Sequence, residues 1–182
     1  MDRKTFLKSL VVLSAAVPCA RLGAAANDGV CENSNCMSNA GTVRGFLSEF
    51  LRKEEKNLDR ATVIKLMKER GRACCKNLKF RQDLIHESAG NIDRLVELMG
   101  KIVGSANCTR SGDTITLVYP VSKCVCGWSP ERPPMPDDPY CECSAENNRM
   151  LFETVAGRIV SAKVLSSPRR GGEHCTFELK LA

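Results

Sequence analysis

Five prolines fall within the fourteen residues that separate two Cys-x-Cys pairs, and this stretch, CVCGWSPERPPMPDDPYCEC, constrains the fold more than any other. Proline fixes φ and has no amide hydrogen to donate, so a segment this rich in proline cannot form the interior of a helix or a central strand. We therefore expect a loop over residues 127–140. Such a loop can fold back and bring the two cysteine pairs together.

The four cysteines that flank this loop are candidate metal ligands. In an extended segment residues i and i+2 point to one face, so each pair would offer two sulfurs in one direction. Four thiolates suit a structural zinc ion, whereas the spacing matches none of the common ferredoxin runs that hold iron–sulfur clusters. Two disulfides between the pairs, or a redox arrangement, are the alternatives. We predict a zinc site formed by Cys124, Cys126, Cys141 and Cys143, with Cys175 nearby.

Residues 1–26 have the pattern of an export signal. A basic start, an apolar run too short to span a bilayer comfortably, and small residues before Asn27 are typical of signal peptides. The segment DRKTFLK is also similar to a twin-arginine signal, with Lys4 in place of the second arginine. We expect a periplasmic or extracellular protein without stable membrane insertion after cleavage.

The charge of the chain argues against nucleic acid as a partner. The net charge is +6, and removing residues 1–26, which hold four basic residues and one acidic residue, leaves +3. The remaining charges are mixed in sign along predicted helices, and few aromatic residues are present to stack on bases. No strongly charged partner is therefore implied.

Helical periodicity extends to about Gly104 and predicts four helices. The first, TVRGFLSEFLRKEEKNL, is expected to bury a face formed by Val43, Phe46, Leu47, Phe50, Leu51 and Leu58. Asp59 is a candidate N-cap of the second helix, whose apolar stripe ends at Cys74 and Cys75. These two cysteines could be core residues, disulfide partners, or thiols that contact a ligand. KFRQDLIHES and NIDRLVELMGKIVG supply the third and fourth helices.

The pattern changes near Cys108 to one of strands with a single helix. DTITLVYP alternates and predicts a strand, with Ile115 and Leu117 on one side. ENNRMLFETVAG predicts a short helix closed by Gly157, with inward residues Met150, Leu151 and Val155. RIVSAKVLSS and HCTFELKL predict two strands joined by the turn residues PRRGG. The last strand is expected to bury Cys175, Phe177, Leu179 and Leu181.

These elements predict an α+β fold. A helical block within residues 27–108 would pack on a small antiparallel sheet within residues 109–182, which also holds the cysteine-rich loop. Apart from the change of pattern near residues 104–112, nothing marks a linker between them, so we expect residues 27–182 to form one domain.

Residues 140–181 resemble the last third of the 4-vinyl reductase, or hydrocarbon-binding, domain family. The shared features are a short helix before a Gly-led strand and a final hairpin of the form Gly-x-x-Cys-x-Phe, carried by Gly157, Val160, Val164, Gly172, Cys175 and Phe177. The resemblance implies helices that cover an antiparallel sheet around a hydrophobic cavity, and a cysteine-rich zinc site that steadies the hairpin.

The family's metal site is not present unchanged in this chain. Cys175 matches a family metal ligand, whereas Val164 and Ser167 stand where the family often has an acidic residue and a cysteine. The two Cys-x-Cys pairs would have to supply the missing ligands.

Three function classes remain open at this point. The first is an exported protein that binds a small hydrophobic molecule and holds a structural zinc ion. The second is a thiol-dependent hydrolase or redox protein, for example with Cys75 or Cys175 as nucleophile and His86 as base. The third is a disulfide-stapled interaction domain without metal. Neither His86 nor His174 lies in a sequence pattern typical of a serine catalytic triad. Trp128 and Tyr140 are expected to pack over the sulfur site.

Overall fold

Five helices and a four-stranded antiparallel sheet build the part of the chain that the computed structural model describes, residues 39–126 and 129–182, with side chains from residue 45 onward. The predicted α+β class is confirmed. The helices are α1 (Asn39–Glu54), α2 (Arg60–Asn77), α3 (Lys79–Ser88), α4 (Ile92–Val103) and α5 (Glu142–Ala156). The strands are β1 (Cys108–Ser111), β2 (Thr114–Tyr119), β3 (Val160–Ser166) and β4 (Cys175–Leu181).

The sheet has the strand order β1-β2-β4-β3, and each neighbouring pair is antiparallel. Leu117 lies opposite Phe177 and Ile115 opposite Leu179, so the predicted apolar faces of β2 and β4 form one buried surface. The pairing of Tyr119 with Cys175 brings that cysteine to the end of β4 next to the loops. Strand β1 was not predicted, because four residues are too few for an alternating pattern to stand out.

Helix α5 lies between the sheet and α2, and this position buries most of its circumference. Leu151 and Val155 face the core as predicted. Phe152 is 0% exposed in the same cluster, although the sequence pattern did not single it out. A helix covered on two sides shows a weaker amphipathic pattern than one with a solvated face, which explains the omission.

A glycine allows α2 to cross α5 in direct backbone contact. A Cβ atom added to Gly71 would lie 2.4 Å from the carbonyl oxygen of Cys143 and 3.0 Å from the amide nitrogen of Asn147. The close crossing brings the ends of the two helices that carry Cys74 and Cys143 together. The predicted N-cap of α2 is also confirmed, since Asp59 Oδ1 accepts a hydrogen bond of 3.0 Å from the Thr62 amide.

The predicted buried face of the first helix is wrong at Phe46, Leu47 and Phe50, which are exposed, whereas Leu51 and Leu58 are partly buried. Phe46 is 68% exposed, Phe50 is also exposed, and their rings stack on each other with centroids 6.2 Å apart. Helix α1 reaches the rest of the fold at Ser48, whose hydroxyl donates to the Ser129 carbonyl oxygen at 3.2 Å, and at Leu51, which packs against the cluster that contains Val63 and Met67. The side chain of Val43 lies outside the described residues.

The predicted export signal at residues 1–26, and Cys31 and Cys36, lie outside the described residues. The described residues fall into a single compact unit. Within that unit, no helix combines the length and the apolar character needed to cross a bilayer.

Candidate functional site

A buried carboxylate ties the proline-rich loop to the turn between β3 and β4. Asp138 is 1% exposed, and its Oδ2 accepts hydrogen bonds of 3.0 Å from Arg132 Nη2 and from Arg169 Nε. Its Oδ1 accepts from the Tyr140 amide at 2.9 Å, and Arg170 Nη2 donates to its carbonyl oxygen at 3.0 Å. The loop therefore has a fixed position beside the hairpin, in spite of its length.

The expectation that Cys141 and Cys143 point in one direction is wrong. The segment is helical and not extended: Cys141 ends the 3-10 turn Pro139–Cys141, and Cys143 is the second residue of α5. Residues two apart on a helix lie about 200° apart around its axis. Cys141 therefore packs on the sheet side, in the cluster with Phe177, and Cys143 packs on the α2 side, in the cluster with Met67.

Four thiols line a small cavity of about 20 Å³, namely those of Cys124, Cys126, Cys141 and Cys175. Tyr140, Ser167 and Phe177 also contribute to its wall. The Cys141 Sγ lies 3.1 Å from Ser167 Oγ, and the Cys126 Sγ lies 3.8 Å from Ser144 Oγ. The structure thus brings together four of the five predicted ligands and leaves Cys143 outside this group. A cavity of this size holds one ion or one water molecule.

The donor chemistry of this cavity fits a soft closed-shell cation, since sulfur ligands select zinc and related ions. In the described part of the chain, no three His, Cys, Asp or Glu side chains are already arranged as ligands of one metal ion. The cysteines described there have free thiols: Cys74, Cys75, Cys108, Cys124, Cys126, Cys141, Cys143 and Cys175. The four thiols of the cavity would have to move toward its centre to share a cation.

Cys124 and Cys126 form a coupled pair of thiols. The hydrogen bond from the Cys126 thiol lowers the pKa of Cys124 to about 5, and the Cys126 amide, the Ser129 hydroxyl and the charge of Arg169 act in the same direction against the effect of burial. The same hydrogen bond, together with burial, raises the pKa of Cys126. Burial also raises the pKa of Cys175 to about 11. Cys124 is therefore the group in this cavity that most readily becomes a thiolate.

A larger pocket of about 320 Å³ adjoins the thiol cavity. Three thiols, those of Cys124, Cys126 and Cys175, line both spaces. Cys74 and Cys143 line the larger pocket as well. The rest of its wall is mainly apolar and includes Leu78, Phe80, Tyr119, Val121, Val125 and Phe177. Four of the five predicted ligands, all except Cys141, therefore lie in the wall of an apolar pocket.

A buried positive charge lies in the wall of this apolar pocket. Arg81 is 7% exposed, and its Nη2 donates to Tyr119 Oη at 3.1 Å and to Asn148 Oδ1 at 3.2 Å. Sequence reasoning missed this residue, although Arg81 shares a helical face with the buried Leu84 and Ser88. An arginine in phase with the apolar positions of KFRQDLIHES is the signal that could have found it.

The aromatic and histidine predictions have mixed outcomes. Tyr140 lines the thiol cavity, as predicted. The centre of its ring lies 5.5 Å from the guanidinium carbon of Arg132 and 5.3 Å from that of Arg169. Burial raises the pKa of the Tyr140 hydroxyl to about 12. Trp128 lies outside the described residues. His86 is exposed on α3 and His174 is partly exposed, and neither lines the thiol cavity or the apolar pocket.

A scan against models of known protein families finds no match, and a search of curated proteins finds no relative. The resemblance of residues 140–181 to the 4-vinyl reductase domain family stays a prediction from the sequence.

Proposed function

We propose that this protein binds a small, largely apolar molecule in the 320 Å³ pocket and holds a zinc ion in the adjoining thiol cavity. The observation that carries the proposal is the set of thiols shared by the two spaces, Cys124, Cys126 and Cys175. Pockets with apolar walls and a few polar groups are typical of small-molecule sites. The resemblance to hydrocarbon-binding domains implies the same combination of cavity and metal.

The proposed ligands of the zinc ion are Cys124, Cys126, Cys141 and Cys175. Cys141 takes the place of the cysteine that the family has at position 167, which is supported by the 3.1 Å separation of Cys141 Sγ and Ser167 Oγ. Rotation about the single χ1 torsion of cysteine moves its sulfur while the backbone stays in place. Zinc bound here would link the proline-rich loop, the start of α5 and β4, and would therefore stabilise the fold without taking part in turnover.

Metal analysis and free-thiol counting test this proposal, on mature protein from the periplasmic or extracellular fraction to which residues 1–26 would direct it. The wild-type protein is expected to contain about one equivalent of zinc, as one tetrahedral thiolate site binds one ion. Cys126→Ser and Cys175→Ser should lose the metal and melt at a lower temperature. Cys143→Ser is the control with the same chemical change, because Cys143 is more buried than Cys126 and Cys175 but lies outside the cavity.

Two outcomes would contradict the zinc proposal. Zinc loss in Cys143→Ser equal to that in Cys126→Ser would show that the ligand set is wrong. Wild-type protein with neither zinc nor free thiols would favour the disulfide-stapled interaction domain.

The second candidate function, a thiol-dependent hydrolase or redox protein, is favoured by one observation. The Cys124 thiol lies in the pocket wall beside Cys126, and Ser129 Oγ lies 3.8 Å from its Sγ. Arg169 Nη1 donates to the same serine oxygen at 3.1 Å, which places a positive charge near the thiol. Such an environment favours a thiolate, the form in which cysteine acts as a nucleophile.

Alkylation of metal-free protein with iodoacetamide measures the reactivity of Cys124. Its pKa is lowered to about 5, so the thiolate persists above that pH and is lost as the pH falls through 5. We expect the rate at Cys124 to change little between pH 8.5 and pH 6.5, whereas an ordinary cysteine would slow by roughly 50-fold. Peptide mass spectrometry identifies the modified residue. Cys126→Ala removes the hydrogen-bond donor and should shift the profile upward; a wild-type inflection near pH 8.5 would refute the idea.

A further inference from the structure

We propose that the ligand of the 320 Å³ pocket is a small organic carboxylate with an apolar body, and that Arg81 binds its acid group. This inference depends on the proposed binding function of the same pocket. It names the chemical class of the ligand, which neither the cysteines nor the family resemblance specifies.

The charge of Arg81 has no carboxylate partner among the described residues. Its three hydrogen-bond acceptors are neutral: Tyr119 Oη at 3.1 Å, Asn148 Oδ1 at 3.2 Å and Met99 Sδ at 3.7 Å. Tyr119 donates its own hydroxyl hydrogen to the same Asn148 oxygen at 2.8 Å, so one amide oxygen serves two donors. The Nε of Arg81 is buried and has no acceptor.

Two partly buried arginines in the described part of the chain differ from Arg81, because each has a carboxylate partner. Arg169 is bound by Asp138, and Arg149 is bound by Glu146, with N–O distances of 3.0 Å in both pairs. A buried charge without a counter-ion is costly, and removing one partner of a buried pair typically costs several kcal/mol. A ligand carboxylate would give Arg81 the partner that the chain supplies to the other two.

The thiols near Arg81 do not supply that negative charge. Burial raises the pKa of the Cys75 thiol, which keeps it neutral beside the arginine. An incoming anion is therefore the missing component at this end of the pocket.

The arrangement of the pocket wall fits a molecule with one acidic end. The polar contacts are made by three neighbouring residues, Arg81, Tyr119 and Asn148. The apolar surface comes from residues such as Leu78, Phe80 and Phe177. Arginine binds carboxylates through two parallel hydrogen bonds, and such charge-assisted bonds are stronger than neutral ones. A volume of 320 Å³ is at the small end of ligand pockets, so a medium-length aliphatic or a single-ring acid is the right size.

Calorimetric titration of the mature wild-type protein with sodium octanoate and with 1-octanol tests the inference. The two probes share their apolar chain and differ in the acid group, so octanoate should bind about 10- to 100-fold more tightly. Arg81→Met should lose this preference and keep its affinity for octanol. Arg94→Met is the matched control, an exposed arginine on α4 that pairs with Glu97 and should behave like the wild type.

The outcomes separate this inference from the function on which it depends. Equal affinity of the wild type for the two probes, or a preference for octanol, overturns the carboxylate assignment and leaves small-molecule binding intact. Binding of neither probe contradicts the proposed function and the assignment with it. If Arg81→Met does not fold, titration of the wild type with octanoate, octanol and octylamine decides the question, because a pocket built for an acid should reject the amine.

Discussion

Replacing Asp138 by alanine is expected to lower the free energy of unfolding by about 3–5 kcal/mol. The carboxylate is 1% exposed and binds both Arg132 and Arg169, so its removal leaves Arg169 without a carboxylate partner and Arg132 with Glu55 alone. It also leaves the Tyr140 amide without its acceptor. Urea unfolding, followed by circular dichroism, measures the change.

Asp83→Ala provides the matched control for this prediction. Asp83 pairs with the exposed Lys79 one turn away on α3, and both side chains are solvated. Surface pairs of this kind contribute roughly 0–1 kcal/mol, so the control should unfold almost like the wild type. Equal effects of the two substitutions would show that Asp138 does not hold the loop. Asp138→Ala should also retain less zinc, because the proline-rich loop between Cys126 and Cys141 loses its attachment to the hairpin.

Phe152→Ala is expected to destabilise the protein by about 3–5 kcal/mol, since a large buried side chain is removed and the space is only partly refilled. Phe152 is 0% exposed and belongs to the main core cluster between α5 and the sheet. Phe46→Ala is the control with the same chemical change at a residue that is 68% exposed, and it should alter stability by less than about 0.5 kcal/mol.

These two phenylalanine variants test the position of α1 as well. A cost at Phe46 comparable to that at Phe152 would mean that the first helix buries its apolar face in solution, as its sequence pattern suggested. Thermal unfolding of both variants in one buffer is sufficient for the comparison.

The elements with a solvated face could be predicted from the sequence. Strands β2 and β4 alternate because one side of each is buried, and Asp59 marks the start of α2 because its side chain caps the helix. The same rule failed for α1, whose apolar pattern predicted burial for Phe46 and Phe50. Periodicity reports which residues share a face, but it does not report what lies against that face.

The geometry around Cys141 and Cys143 was missed for a local reason. The prediction that the two sulfurs share one direction requires an extended segment, but the sequence Asp138-Pro139 favours the start of a helix. The aspartate side chain accepts the Tyr140 amide hydrogen, and proline is favoured in the first turn because no partner is needed for its nitrogen. These two residues predict a helical turn, in which the side chains of Cys141 and Cys143 point in different directions.

The candidate site itself could be predicted only in part. Three of the sulfurs expected to converge, those of Cys124, Cys126 and Cys141, do line one cavity, together with Cys175. Ser167 contacts Cys141, and Arg169 contacts Ser129, only because the hairpin turn packs against the loop. No local sequence pattern predicts such a contact. The apolar pocket likewise exists only once α3, α5 and the sheet are assembled.

The close crossing at Gly71 also bears on how selective the protein can be. Backbone contact at this point leaves no room for the pocket wall that carries Cys74 and Cys143 to shift, because any movement would have to displace a whole helix. Leu78 and Phe80, which also line the pocket, are exposed, so water and not a packed helix lies against part of their surface. We expect the pocket to adapt to molecules of different shape more readily at Leu78 and Phe80 than at Cys74 and Cys143.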